Sequence, residues 1–156
     1  MKNRKILLIL LSSLFLSGCF RFTSKNNNQI NDAVSSIEQE INHSYDEIKD
    51  STIFWSAIFN QPESNYYVYL YSITCMHCNS IKNQMIEKAI TSPIKIYFIV
   101  SSPEHNISDL IDKYEIIDNL NDLYIKGYPS LLKLNNKKVV LNLAGTTLIR
   151  AELNLN

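Results

Sequence analysis

The sequence predicts an α/β domain in which a central mixed sheet is flanked by helices. Three observations carry that expectation. The 156-residue chain is 46% hydrophobic and 19% charged, the make-up of one ordinary folded domain with a core. Between residues 66 and 100 a strand-like run, a helical run and a second strand-like run follow one another, the βαβ order that places two strands in parallel. Two apolar runs on either side of Asn135-Asn136-Lys137-Lys138 then read as an antiparallel hairpin. Equal numbers of basic and acidic residues, 15 of each, leave no electrostatic footprint for nucleic acid.

At the start of the chain Lys2, Arg4 and Lys5 precede the mainly apolar residues 6–16, the charged-then-apolar order of an export signal. Such a stretch is too short for a stable membrane span, which takes about 20 residues. It ends in Leu16-Ser17-Gly18-Cys19, which resembles the lipobox of bacterial lipoproteins. The resemblance implies that residues 1–18 are removed as a signal peptide, that Cys19 is diacylated, and that the protein is held at the cell membrane facing outside the cytoplasm. Cleavage there leaves 12 basic and 15 acidic residues, net −3, so lipid rather than charge would hold the membrane. Residues 19–29 then form the anchor and a mostly polar tether.

Residues 30–50 carry Ile30, Val34, Ile37, Ile41, Tyr45 and Ile48 at every third or fourth position, which predicts an extra N-terminal amphipathic helix packed on the protein's own core. The main domain occupies residues 51–156. It opens with a short helix over residues 53–59, closed by Pro62. The run Tyr66-Tyr67-Val68-Tyr69-Leu70-Tyr71 is too continuously apolar for a strand with one wet face and predicts a central strand. Ile81, Met85, Ile86, Ala89 and Ile90 share one face of a helix over residues 78–90, and Pro93 marks the exit into a strand over residues 94–100. A further helix is predicted over residues 108–114. Residues 131–134 and 139–143 form the hairpin, and residues 146–156 leave room for one short helix. His43 and His105 read as solvated and uninvolved. Gly127 and Gly145, the only glycines outside the signal, are expected to mark backbone conformations that other residues resist.

Cys75-Met76-His77-Cys78 falls where the central strand ends and the next helix begins. Backbone N–H groups converge on a side chain there and favour a thiolate at Cys75, and His77 between the cysteines would stabilise it further. Two intervening residues at a helix start let the sulfurs reach bonding distance, so the pair can accept and return two electrons. Cys75 is the candidate nucleophile and Cys78 the resolving thiol. Structural zinc would need four ligands, and His43 and His105 are single residues in unrelated segments, so neither a metal nor a cofactor is expected. A cysteine-protease nucleophile would need a positioned base, which a second cysteine does not supply.

The stretch Tyr67-Val68-Tyr69-Leu70-Tyr71-Ser72-Ile73-Thr74-Cys75-Met76-His77-Cys78 resembles the strand and active-site loop of the thioredoxin superfamily, and Gly127-Tyr128-Pro129-Ser130-Leu131-Leu132 resembles its second signature. The correspondence of elements runs from about residue 51 to 145. It implies a thioredoxin-like fold and a thiol-disulfide oxidoreductase that exchanges disulfides with exported protein clients. It further implies that Pro129 is cis and lies beside Cys75, and that Tyr128 and Pro129, with Met76, form the client-binding surface. Read from the residues alone, Pro129 also suits a trans proline opening a strand.

Three departures stand out. Met76 replaces the proline or glycine usual after the first cysteine. Tyr69 stands where many members bury an acid. The chain also ends soon after Gly145, so the family's terminal helix should be short or missing, with residues 30–50 packed in its place. His77 before the second cysteine resembles the oxidase branch, whereas a membrane electron donor as redox partner would make the protein a reductase. The competing reading is a thioredoxin-like accessory lipoprotein, such as those accompanying bacteriocin export, with little general turnover.

Overall fold

The computed structural model describes residues 41–110 and 114–155. The expectations for the signal peptide, Cys19, the tether and most of the N-terminal helix lie outside the described residues. Four strands form one mixed sheet in the order β2-β1-β3-β4, with β1 at Asn65–Tyr71, β2 at Lys95–Val100, β3 at Ser130–Asn135 and β4 at Lys138–Ala144. β1 runs parallel to β2 and antiparallel to β3, and β3 and β4 are antiparallel. The βαβ unit and the hairpin are therefore as expected. Asn136 and Lys137 turn the hairpin with φ of 48° and 62°, the left-handed pair that matches the twist of adjoining strands.

Each face of the sheet carries its own core. Tyr67, Tyr69 and Tyr71 of β1 and Ile96 and Phe98 of β2 point to one face, where they meet Cys78, Ile81, Met85, Ile86 and the helix α3, Thr146–Leu153, through Ile149 and Leu153. The alternate residues Tyr66, Val68, Leu70, Tyr97 and Ile99 point to the other, against Trp55, Ile58, Leu123 and Ile125. Burial on both sides explains the absence of polar alternation in β1. Phe98 is fully buried, with its ring edge-on to Tyr69 at 5.7 Å and to Tyr71 at 6.4 Å between centroids. Phe98→Ala is expected to cost about 3–5 kcal/mol of unfolding free energy, read as a lowered urea midpoint.

The terminal helix is present but short, and it is clasped to the sheet. Glu152 accepts hydrogen bonds from the Tyr67 hydroxyl at 2.7 Å and the Lys133 ammonium at 2.9 Å. Tyr45 and Ile48 pack into the same core as Ile149 and Leu153, so the end of the 30–50 segment shares that face with the terminal helix.

Four expectations are corrected. Within the described part of the 30–50 segment, residues 41–44 are non-helical and a 3-10 helix occupies Tyr45–Ser51. Ser44 starts that helix through a capping box, its hydroxyl accepting from the Asp46 N–H while Glu47 accepts from the Ser44 N–H. The dithiol helix is two pieces, α1 at Met76–Asn79 and α2 at Lys82–Thr91. Between them the Ser80 hydroxyl donates to the His77 carbonyl at 2.9 Å, and Ile81 leaves helical geometry at φ −123°, ψ 6°. Ile90, expected on the buried face, is exposed.

The helix expected over residues 108–114 is absent from its described residues, 108–110 and 114. Ser108 N–H donates to the Ile125 carbonyl at 3.0 Å and Ile125 N–H to the Asn106 carbonyl at 2.9 Å, so this backbone is engaged across the chain. Leu110 is 95% exposed and offers no face for a helix to bury. The sheet face lined by Trp55 is consequently covered by a 3-10 helix, Trp55–Asn60, and by extended loop rather than by an α-helix. Among the described residues no helix is long and apolar enough to cross a membrane.

Candidate active site

Strand directions gather the site at one end of the sheet. Leu70 of β1 pairs with Ser130 of β3, so the loop leaving β1 and the loop entering β3 emerge side by side. β2 is parallel to β1 and delivers residues 101–105 to the same end, where Ser101 N–H donates to the Tyr71 carbonyl at 2.7 Å. Ser130 also pairs with Ala144, which brings in Gly145, whose N–H donates to the Pro129 carbonyl at 2.9 Å. Gly127 and Gly145 have φ of 139° and 88°, values in the region that L side chains resist, as their isolation in the sequence suggested.

Cys75 caps α1. Its backbone is extended, and its sulfur accepts the Cys78 N–H at 3.3 Å. The same Sγ lies 3.6 Å from the Tyr128 carbonyl oxygen, toward which the thiol can donate. The Tyr128-Pro129 peptide is cis, as the resemblance implied, and Pro129 is buried. Cys75 is partly exposed, whereas Cys78 is buried one helical turn behind it, and both thiols are free. Met76 is 81% exposed and stands next to Cys75, followed by the exposed His77. The chain thus brings together Cys75, Cys78, Tyr128 and Pro129, with Met76 and His77 on the outer side of the same turn. Among the described residues no three or more His, Cys, Asp or Glu side chains cluster as metal ligands.

Burial pushes the Cys78 thiol up to about 12, helped by the neighbouring Cys75 side chain and opposed by the Ser72 N–H, which reaches the Cys78 sulfur at 3.5 Å. Tyr69 and Tyr45, stacked on either side of Tyr71, are also held well above the usual phenol value, chiefly by burial. Their hydroxyls lack a hydrogen-bond partner among the described residues. The stability that comes from keeping Cys78 neutral is complete below the ordinary thiol value of 9.0 and is lost as the pH rises to about 12. The thermal midpoint is therefore expected to hold steady from pH 7 to about 8.5 and then to fall with increasing alkalinity, in a scan by circular dichroism.

Two histidines expected to be solvated are not. The His43 ring contacts Glu47 at 2.8 Å, with only 12% of its side chain exposed. His105 is buried, its ring tilted against Trp55 at 4.7 Å between centroids, and hydrogen-bonded through Nδ1 to the Tyr128 hydroxyl. Nothing local to His105 in the sequence marks this role, because its partners are 50 and 23 positions away.

No family profile matches the chain. No curated protein matches it either. Among solved structures, thioredoxin f2 of Chlamydomonas reinhardtii is similar at a TM-score of 0.45 and 15% identity, over 65% of this chain and 94% of that one.

Proposed function

We propose that the chain is a thioredoxin-like thiol-disulfide oxidoreductase, lipid-anchored outside the cytoplasm through Cys19, that exchanges disulfides with exported proteins. The observation that carries the redox reading is the asymmetry of the two thiols. Cys75 is accessible and accepts the Cys78 N–H at 3.3 Å, while Cys78 is enclosed one turn behind.

In the reducing direction the Cys75 thiolate attacks one sulfur of a client disulfide. A Cys75–client S–S bond forms, the client S–S bond breaks, and the leaving sulfur takes up a proton. Cys78 then loses its proton and attacks the Cys75 sulfur, releasing the second client thiol and closing Cys75–Cys78. Two electrons pass to the client, and an external dithiol must return two to reopen the pair. In the oxidising direction the same steps run backward from the closed pair. Met76, Tyr128 and Pro129 border the attacking sulfur and would receive the client, and His77 would stabilise the thiolate.

The test is reduction of insulin by dithiothreitol. The full chain is expected to accelerate it over dithiothreitol alone; no acceleration, with a stable partner that copurifies, would favour the accessory-lipoprotein role. The anchor is tested separately, by incorporation of labelled palmitate in a bacterial host. Label is expected in the wild type and absent from Cys19→Ala.

A further inference from the structure

His105 is an expensive residue for its position. Its ring is 7% exposed, and Nε2 is buried without a hydrogen-bond partner among the described residues. An apolar ring of similar size would fill the space against Trp55 without leaving a polar atom unpaired. Burial also holds its pKa below the usual imidazole value. What the imidazole adds over an apolar ring is the hydrogen bond between Nδ1 and the Tyr128 hydroxyl.

Tyr128 is the residue whose carbonyl faces Cys75. On its N-terminal side is Gly127, a backbone position of wide conformational freedom, tied down by the Ser130 hydroxyl donating to its carbonyl at 2.6 Å. On its C-terminal side the Pro129 carbonyl is held by Gly145. The His105 contact, beside the Ser102 backbone, holds the remaining part, the side chain itself. The Trp55 ring lies against His105 in turn, so the second 3-10 helix, the loop after β2 and the loop before β3 meet at one ring.

We propose that His105 is a positioning residue for client binding: by holding the Tyr128 hydroxyl it keeps the Tyr128 backbone where an extended client segment would meet Cys75. The inference rests on the redox reading given above. It predicts an effect on client affinity rather than on the sulfur chemistry.

The experiment is insulin reduction by the full chain, resolved into KM and kcat. His105→Phe is expected to raise KM about fivefold with little change in kcat, the weight of one neutral hydrogen bond. His105→Asn, whose side-chain oxygen can take the place of Nδ1, is expected to bring KM back to within about twofold of wild type. Tyr128→Phe should raise KM by the same factor as His105→Phe, and the double variant should be no worse than either single one. Should His105→Phe fail to fold, Tyr128→Phe and His105→Asn carry the comparison, with far-ultraviolet circular dichroism and the urea midpoint reporting that the fold is intact. An unchanged KM in folded His105→Phe or Tyr128→Phe, or independent effects that multiply in the double variant, would overturn the proposal. A wild type that fails to accelerate insulin reduction at all would instead remove the redox reading on which it rests.

Discussion

Cys75→Ser is expected to reduce insulin turnover to the background of dithiothreitol alone, a loss of at least about a thousandfold or some 4 kcal/mol of barrier. The hydroxyl that replaces the thiol is far less acidic, and its oxygen does not displace sulfur from a client disulfide. Cys78 does not substitute for it. That thiol is buried, its acidity is suppressed up to about 12, and it lies behind the residue that was removed. The variant should fold, because serine is close in size and a hydroxyl can both accept the Cys78 N–H and donate toward the Tyr128 carbonyl, as the Cys75 thiol does. Iodoacetamide at pH 7 should label the wild type rapidly and folded Cys75→Ser slowly. Rapid labelling of the variant would show that Cys78 is open to solvent and would sink the division of labour between the two thiols.

Cys78→Ser is expected to lose most of its turnover, because only the dithiothreitol of the assay is left to release the client, and to give a different product when the client disulfide is offered without dithiothreitol. The client is attacked normally, but no second thiol closes onto the Cys75 sulfur, so the mixed disulfide accumulates. Non-reducing electrophoresis should reveal a covalent complex with an insulin chain that collapses on adding excess dithiothreitol. Cys75→Ser should give no such band. The raised acidity threshold of Cys78 gives the wild type a matching signature. Resolution requires that proton to leave, so release of the client should quicken as the pH rises, through the range in which the fold remains intact.

Much of the sheet was legible because its residues leave few choices. The six residues from Tyr66 to Tyr71 are apolar on both alternating sets, which only a strand covered on two sides can accommodate, and both sets are buried. The dithiol was legible because its two sulfurs are neighbours in sequence and the strand-to-helix junction orients them. The segment from residue 101 to 128 was not. Its Ile107, Ile117 and Ile125 form isolated bridges to distant chain, Ile107 with Ile125 and Ile117 with Val139, and such pairings carry no local period. His105 belongs to that segment and was misread for the same reason. The helix start at Ser44 was visible in principle, since Ser44-Tyr45-Asp46-Glu47 has the spacing of a capping box, but the apolar repeat of residues 30–48 overshadowed it.

The pairing of Leu70 with Ser130 has a consequence for what turnover would measure. Cys75 and Tyr128 belong to loops on two different strands, and they face each other only if those strands are aligned residue for residue. A slip of one position would shift the loops by about 3.3 Å and turn every side chain of the slipped strand to the opposite side. A misassembled molecule would therefore lack a working centre. On the proposed redox reading, turnover would thus report on register: only molecules with these two strands aligned could carry it out.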